Sequence, residues 1–276
     1  MEREILSVML RYAHEAGSIA IAEQSNLQAV LKPDDTYVTG VDMRLSELAL
    51  RTFTEVVPER QIITEEHIDN LLDLVNGEPA GDGELLLIVD PIDGTRNYFH
   101  NMPLYGISVG VLRNLQPWLG VVTFPGLGET LYCTGDDAYM ITRAYDANPV
   151  ERRLNSSEDE VKKNSQVLLA NSFARAYRWN YKVCTILLTA CVTINSCWPT
   201  LRRGIGAVFM DHIWDLAGSW PILQQLGFEL RGVETGKVMT HYHRSDYDPE
   251  SHRVREPMII SRPQHYRHLR EGVIRL

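Results

Sequence analysis

Residues 85–95 read LLLIVDPIDGT, an unbroken apolar run that ends in two carboxylates. Five consecutive aliphatic residues are typical of a strand that is buried on both faces. Because Pro91 has no N–H group to give to a sheet, the strand is predicted to stop at the Asp90-Pro91 step. The pattern therefore predicts that a buried strand delivers Asp90 to its carboxyl end, where the side chain meets solvent.

The residues that follow add polar groups at the same point. Asp93 comes three residues after Asp90, so the two carboxylates can approach each other. Gly94 permits close backbone approach, and Thr95 adds a hydroxyl where a helix is predicted to begin, with free N–H groups that attract phosphate. Oxygen ligands of this kind favour Mg²⁺. An isolated Asp-x-x-Asp is more often an ordinary turn that caps a helix. Other parts of the chain must therefore decide between such a turn and a Mg²⁺ site.

Helices and strands are predicted on both sides of this segment. Hydrophobic periodicity indicates helices over residues 4–23, 42–53, 177–197 and 214–226. Short apolar runs separated by turn residues indicate strands over residues 106–112, 118–123, 129–133, 138–142, 167–170 and 258–260. The strands from 106 to 142 predict an antiparallel meander, and the whole pattern predicts an α/β or α+β fold. A polar stretch after residue 147 predicts an N-terminal half, 1–147, and a C-terminal half, 148–276.

Composition excludes several classes of protein. The chain has 276 residues, 44% of them hydrophobic, which is enough for a large core and unlike a disordered protein. Its formal net charge of −9 argues against a nucleic-acid partner. Since no apolar run approaches the roughly 20 residues of a membrane span, we expect no membrane association. The four cysteines have no framework spacing, and we expect buried, reduced thiols in a cytoplasmic protein.

Two further acidic residues bear on the metal hypothesis. Glu65 follows a short apolar segment, and Asp215 lies between Trp214 and a predicted helix. Taken alone, Glu65 fits a solvated acidic turn and Asp215 fits a simple helix N-cap. Glu65 and Asp215 support the metal hypothesis only as parts of a larger sequence pattern.

That pattern consists of four sequence blocks. They are VTGVD at 38–42, ITEE at 63–66, DPIDGTRNY at 90–98 and WDLAG at 214–218. In order and separation the set resembles the inositol monophosphatase family of magnesium-dependent, lithium-sensitive phosphomonoesterases. The resemblance implies a layered α-β-α-β-α sandwich of the sugar-phosphatase type, a homodimer and two or three Mg²⁺ ions in each site.

The resemblance also implies a ligand for each metal position. Glu65, Asp90 and the carbonyl of Ile92 would hold one Mg²⁺. Asp90, Asp93 and Asp215 would hold the second, so that Asp90 bridges the two ions.

Catalytic and substrate-binding roles are carried over in the same way. Thr95 and Glu65 would position the attacking water, and Asp42 would accept a hydrogen bond from Thr95. The substrate and its phosphate would be held by Asp93, Gly94, Thr95 and Asp215. No phosphoenzyme is expected.

The sequence departs from the family pattern in the segments that determine substrate specificity. Segment 193–199 lacks the family's small residues, and the bulky Trp198 is expected to reshape that wall of the site. Val208 stands where relatives often carry an acidic residue for substrate hydroxyls, although Asp211 can replace it if the loop is shorter.

The partner expected for the chain is a small phosphorylated metabolite, with inositol monophosphate favoured. Histidinol phosphate, fructose 1,6-bisphosphate and 3′-phosphoadenosine nucleotides are alternatives in the same superfamily. A regulator that keeps the fold and binds a partner is an alternative of another class. Loop 237–256, which contains His241, His243 and His252, is expected to be a surface segment rather than a metal site.

Overall fold

The computed structural model shows a chain that alternates helices with mixed sheets. It describes residues 1–27, 29–31, 37–68, 84–156, 160–162, 164–248 and 250–276. None of the helices in these ranges combines the length and the apolar character that crossing a membrane requires.

The described residues form both kinds of element along the whole chain. The helices are α1 (Glu2–Glu23), α2 (Gly40–Phe53), α3 (Thr95–Phe99), α4 (Val192–Cys197), α5 (Ile213–Ala217), α6 (Ser219–Gln225) and α7 (Tyr266–Arg270). The strands are β1 (Ala29–Leu31), β2 (Tyr37–Thr39), β3 (Ile62–Thr64), β4 (Leu85–Asp93), β5 (Gly106–Arg113), β6 (Gln116–Phe124), β7 (Glu129–Cys133), β8 (Ala138–Thr142), β9 (Val150–Arg153), β10 (Gln166–Leu169), β11 (Tyr177–Trp179), β12 (Thr185–Leu188), β13 (Gly206–Phe209), β14 (Glu229–Gly232), β15 (Met258–Ser261) and β16 (Val273–Arg275).

A seven-stranded sheet carries the first half of the chain. Its strand order is β3-β4-β5-β6-β7-β8-β9, and only the β3–β4 pair is parallel. The predicted antiparallel meander over β5 to β8 is therefore confirmed. A five-stranded sheet follows in the order β12-β10-β13-β15-β14, in which β10 runs parallel to both of its neighbours.

Three hydrophobic clusters make the layers of the fold. The first joins α1 and α2 to one face of the large sheet. The second fills the space between the two sheets and includes α4, α5 and α6. The third covers the outer face of the five-stranded sheet, where Leu269 of α7 packs. The order of layers is α-β-α-β-α, as expected. In β4, Leu87 faces the first cluster and Leu86 faces the second, as the two-residue period of a strand requires.

Helix α5 approaches the large sheet closely enough to reach its backbone. A Cβ atom on Gly110 would lie 2.2 Å from the carbonyl oxygen of Ala217, so only glycine fits there. Gly218 N donates to Ser108 Oγ over 3.1 Å, at the point where the predicted 214–226 helix divides into α5 and α6. Contacts with β5 thus determine how closely α5 approaches the large sheet.

The predicted long helix over residues 177–197 is wrong. Only Val192–Cys197 is helical, and the earlier residues form β11 and β12. Thr185 and Ile186 are β-branched and pair in parallel with β10, so their tertiary partners override the apparent helical spacing. All four cysteines are free and buried, as predicted. The division into halves at residue 147 stays a prediction.

Candidate active site

Strand β4 continues past the point where the sequence predicted its end. It runs through Pro91 to Asp93 because its register shifts against β5 between Asp90 and Asp93. Pro91 and Ile92 together oppose the single residue Ile107, which makes a β-bulge where a proline needs no ladder hydrogen bond. The bulge turns the strand end, and Asp90 Oδ1 accepts a hydrogen bond from Ile92 N at 3.1 Å.

Three buried carboxylates meet beyond this bulge. Asp90, Asp93 and Asp215 each offer an oxygen, and these oxygens all lie within 4.8 Å of one another. Asp90 Oδ2 is buried and accepts no hydrogen bond. Buried carboxylates at such distances require protons or cations to offset their repulsion. The donor set, which consists of oxygen alone, and the unpaired Asp90 oxygen fit a divalent cation such as Mg²⁺.

The pKa values of these groups reflect the same burial and the same repulsion between carboxylates. Burial raises the pKa of Asp90 well above its usual range, and the charges of Glu65, Asp215 and Asp93 raise it further. Burial and the Asp215 charge raise the pKa of Asp93 to about 6. Burial alone would raise the pKa of Asp215, but His212, whose N and Nδ1 atoms lie 2.9 and 3.2 Å from Asp215 Oδ2, holds it below the usual range.

Helix α4 fixes the orientation of Asp93. Thr193 donates to Asp93 Oδ2 from its backbone N at 2.5 Å and from Oγ1 at 2.6 Å, and Cys191 Sγ lies 3.1 Å from the same oxygen. Asp93 Oδ2 is therefore fully engaged, and Oδ1 is left for a ligand. Neither donor is predictable from the sequence, because the helical spacing of residues 177–197 conceals the start of α4 at residue 192.

Thr95 and Asp42 form a second polar pair. Thr95 Oγ1 lies 3.3 Å from Asp42 Oδ1 and 2.9 Å from the carbonyl oxygen of Ile92. Asp42 is held by Thr39 in a capping box at the start of α2. Burial raises the pKa of Asp42 to about 6, against the opposing effect of the Thr39 hydrogen bonds.

Gly94 is required where the strand passes into α3. Its φ is +83°, a conformation that side chains disfavour. An added Cβ would lie 3.1 Å from Cys191 Cβ and 3.2 Å from the Leu104 carbonyl oxygen. Gly94 and Thr95 line a cleft of about 250 Å³ together with the three aspartates.

Glu65 lies at the edge of this arrangement. It follows β3, its backbone N donates to the Val89 carbonyl at 3.1 Å, and its side chain lines the same cleft. The group of carboxylate oxygens within 4.8 Å of one another does not include Glu65. Its charge nevertheless raises the pKa of Asp90, which places the two groups in electrostatic contact.

A profile of the inositol monophosphatase family matches residues 1–273. The chain belongs to the inositol monophosphatase family. Members of this family are phosphatases, so the chain is a phosphoric monoester hydrolase.

Individual relatives agree with this assignment. A histidinol-phosphatase of Chlorobaculum parvum is 28% identical over 243 residues, which cover 83% of this chain and 87% of the relative. The structure of a Thermotoga maritima IMPase matches with a TM-score of 0.71 at 20% identity, over 98% of this chain and 96% of that one. An IMPase/NADP phosphatase solved with Mg²⁺ and phosphate matches with a TM-score of 0.71 at 14% identity, over 98% and 94% of the two chains.

Within this family fold, the structure places Trp198 away from the cleft. Residues 190–192 and Asn195 form the wall that was expected to carry Trp198. Trp198 instead packs against the core between the sheets, with the Arg203 guanidinium 5.3 Å from its ring centroid. The expectation that Trp198 shapes the substrate pocket is therefore wrong, because the residues that follow α4 turn away from the carboxylates.

We expect Trp198→Ala to lower stability without changing substrate preference. Loss of a packed tryptophan costs about 3 kcal/mol, the lower end of the usual range, since the ring is partly exposed. Denaturant unfolding should show this loss, and the ranking of kcat/KM across phosphate esters should match that of the native protein. Trp198→Phe serves as the control that keeps most of the packing. A folded Trp198→Ala protein with a reordered ranking would restore the original expectation.

The alternative acidic residue does lie at the cleft. Asp211 lines it, whereas Val208 is buried in the outer core. Ser172 Oγ donates to Asp211 Oδ2 at 3.2 Å, and Arg253 Nη1 lies 3.4 Å from Oδ1. Burial and the Asp215 charge raise the pKa of Asp211 to about 6. Of these two positions, only 211 lines the cleft.

The histidines of loop 237–256 belong to other surroundings. The rings of His241 and His243 are tilted by 58° with centroids 4.0 Å apart, and both residues line a separate cavity of about 320 Å³. The ring centroid of His252 lies 6.2 Å from that of Trp214, which itself lines the cleft. Among the described residues these histidines join no group of three metal-binding side chains.

Proposed function

We propose that the chain hydrolyses the phosphomonoester of a small polyol or sugar phosphate, with Mg²⁺ as cofactor. The observation that carries this proposal is the buried cluster of Asp90, Asp93 and Asp215, in which Asp90 Oδ2 accepts no hydrogen bond. The cluster shares its cleft with Gly94 and Thr95.

The cation ligands follow from the carboxylate geometry and the family resemblance. Glu65, Asp90 and the Ile92 carbonyl would hold one ion, and Asp90, Asp93 and Asp215 would hold the second. The donors that engage Asp93 Oδ2 support this assignment, because they leave Oδ1 available to a cation. Bound Mg²⁺ supplies neutralisation of phosphoryl charge and a more acidic water.

The protein's own groups orient the nucleophile and receive its proton. Thr95 Oγ1 and the Glu65 carboxylate face the cleft and position a water for attack on phosphorus. As the water oxygen bonds to phosphorus, its proton passes to Thr95 Oγ1, which passes its own proton to Asp42 Oδ1. The raised pKa of Asp42 suits that carboxylate to accept a proton. The ester P–O bond breaks, and the alkoxide leaves and is protonated by solvent.

Several substrates remain within the proposed class. Family resemblance favours inositol monophosphate, and the Chlorobaculum parvum relative suggests histidinol phosphate. Fructose 1,6-bisphosphate and 3′-phosphoadenosine nucleotides belong in the same comparison. A homodimer and a cytoplasmic location are also proposed on the family resemblance.

A substrate panel at saturating Mg²⁺ tests the proposal. Purified protein should release inorganic phosphate from at least one polyol or sugar phosphate with kcat/KM above about 10⁴ M⁻¹s⁻¹, the low end for enzymes acting on their own substrates. An aryl phosphate is the control for unselective hydrolysis. Equal, slow rates on every ester would contradict the proposed substrate class.

A further inference from the structure

A further cavity of about 390 Å³ adjoins the active-site cleft. Ser172, Arg175 and Arg253 line both spaces. Arg255 and Asp248 line this further cavity but not the cleft, and Arg255 also lines the cavity beside His241 and His243. We call this cavity, whose charged lining residues are Arg175, Asp248, Arg253 and Arg255, the arginine annex. A substrate bound at the carboxylates can extend into it, since the two spaces share three wall residues.

Positive charge predominates in the annex. The exposed side chain of Arg175 makes no hydrogen bond or ion pair with the described residues. Arg253 pairs with Asp211 through one nitrogen at 3.4 Å, which is longer than a strong charge-assisted hydrogen bond and leaves other N–H donors uncommitted. The remaining acid, Asp248, accepts hydrogen bonds of 2.8 Å from the N and Oγ of Ser251. These hydrogen bonds lower the pKa of Asp248, and the charge of Arg255 also helps to lower it. The three arginines of this cavity nevertheless outnumber its Asp248 and the Asp211 of the adjoining cleft, in a chain whose net charge is −9.

We propose that the arginine annex binds a second phosphate of the substrate, so that the preferred substrate is a small sugar or polyol bisphosphate. This inference rests on the proposed function and narrows it. Guanidinium groups match phosphate oxygens in charge and in the spacing of their donors. An uncharged polyol tail would leave Arg175 without a partner, and an ammonium tail such as that of histidinol would meet like charge.

The annex also gives the second phosphate a role in the reaction. Contacts remote from the breaking bond can align the substrate on the metal ligands, and their loss lowers kcat as well as affinity. The scissile phosphate lies at Asp90, Asp93 and Thr95, while the second phosphate is held by Arg175 and Arg253.

Matched pairs of substrates that differ by one phosphate test the proposal with the full chain at saturating Mg²⁺. Fructose 1,6-bisphosphate is compared with fructose 1-phosphate, and inositol 1,4-bisphosphate with inositol 1-phosphate. We expect kcat/KM to be at least about tenfold higher for the bisphosphate of a pair, and the ratio to fall as salt screens the exposed arginines. A third pair, 3-phosphoglycerate and glycerol 3-phosphate, tests whether a carboxylate can replace the second phosphate.

Substitution of Arg175 tests whether the annex causes the preference for bisphosphates over monophosphates. Arg175→Gln should bring the bisphosphate-to-monophosphate ratio of kcat/KM close to one. Arg178→Gln, which removes an exposed arginine three residues away in β11, should leave the ratio at the native value. Arg253 is less suitable, because its removal also unpairs Asp211.

The outcomes separate this inference from the proposed function. Three outcomes of Mg²⁺-dependent hydrolysis would each overturn the annex and leave the phosphatase assignment intact. The native protein has a bisphosphate-to-monophosphate ratio of kcat/KM near one, it prefers only 3-phosphoglycerate over glycerol 3-phosphate, or its ratio is unchanged in Arg175→Gln. Failure to hydrolyse either member of every pair would overturn the proposed function and the annex with it.

Discussion

Asp90→Asn is expected to lower kcat for phosphate release by roughly three orders of magnitude or more. In the proposed site Asp90 is a ligand of both metal ions, and its buried Oδ2 accepts no hydrogen bond in the described structure. Asparagine keeps the shape of the side chain but removes its charge. Loss of even one donor that stabilises transition-state charge costs about 10²–10³ in kcat, and the loss of a bridging ligand should exceed this.

The same substitution should not unfold the protein. Because burial and three neighbouring carboxylates raise the pKa of Asp90, folding without a cation disfavours its ionised form. Removing that charge should raise the melting temperature of the protein in chelator, where no cation offsets it. Asp136→Asn, at an exposed turn, is the control and should alter neither activity nor stability. A folded Asp90→Asn protein with native kcat at saturating Mg²⁺ would refute the assignment.

Thr95→Val should lower kcat by about 10²- to 10³-fold with little change in KM. Valine keeps the β-branched shape at the start of α3 but has no hydroxyl to link the attacking water to Asp42 Oδ1. Groups that transfer a proton in the transition state typically contribute about 10²–10⁴ in rate.

Rescue by serine distinguishes this role of Thr95 from packing. Thr95→Ser restores the hydroxyl without the methyl group, so it should recover most of kcat. Single-turnover phosphate release by the three proteins measures the chemical step. Equal rates for Thr95→Val and Thr95→Ser would show that the Thr95 hydroxyl carries no proton.

Much of the site was predictable, because its residues lie in short, contiguous motifs. The segment 90–95 contains two of the three clustered carboxylates, and the Trp214-Asp215 block contains the third. Local patterns also located α1, α2 and the strands of the meander, where apolar periodicity and tertiary burial agree.

What the sequence could not reveal depends on contacts across about one hundred residues. Thr193 and Cys191 orient Asp93 from the start of the short helix α4. The apparent helical spacing of residues 177–197 merges this helix with β12, whose true partner is β10. The side chain of Trp198 turns into the core, where bulk alone had suggested a pocket wall. The passage of β4 through Pro91 depends on a bulge, which needs the register of β5 as well as the sequence of β4.

The Mg²⁺ requirement of phosphate release tests the central claim most directly. Protein stripped with a chelator and dialysed is assayed on a polyol or sugar phosphate while MgCl₂ is titrated, with NaCl added to hold the ionic strength constant. We predict negligible release before Mg²⁺ is added and a saturable return of activity with Mg²⁺, which Asp90→Asn abolishes. Full activity in excess chelator, or identical Mg²⁺ curves for the native protein and Asp90→Asn, would contradict the role assigned to the three aspartates.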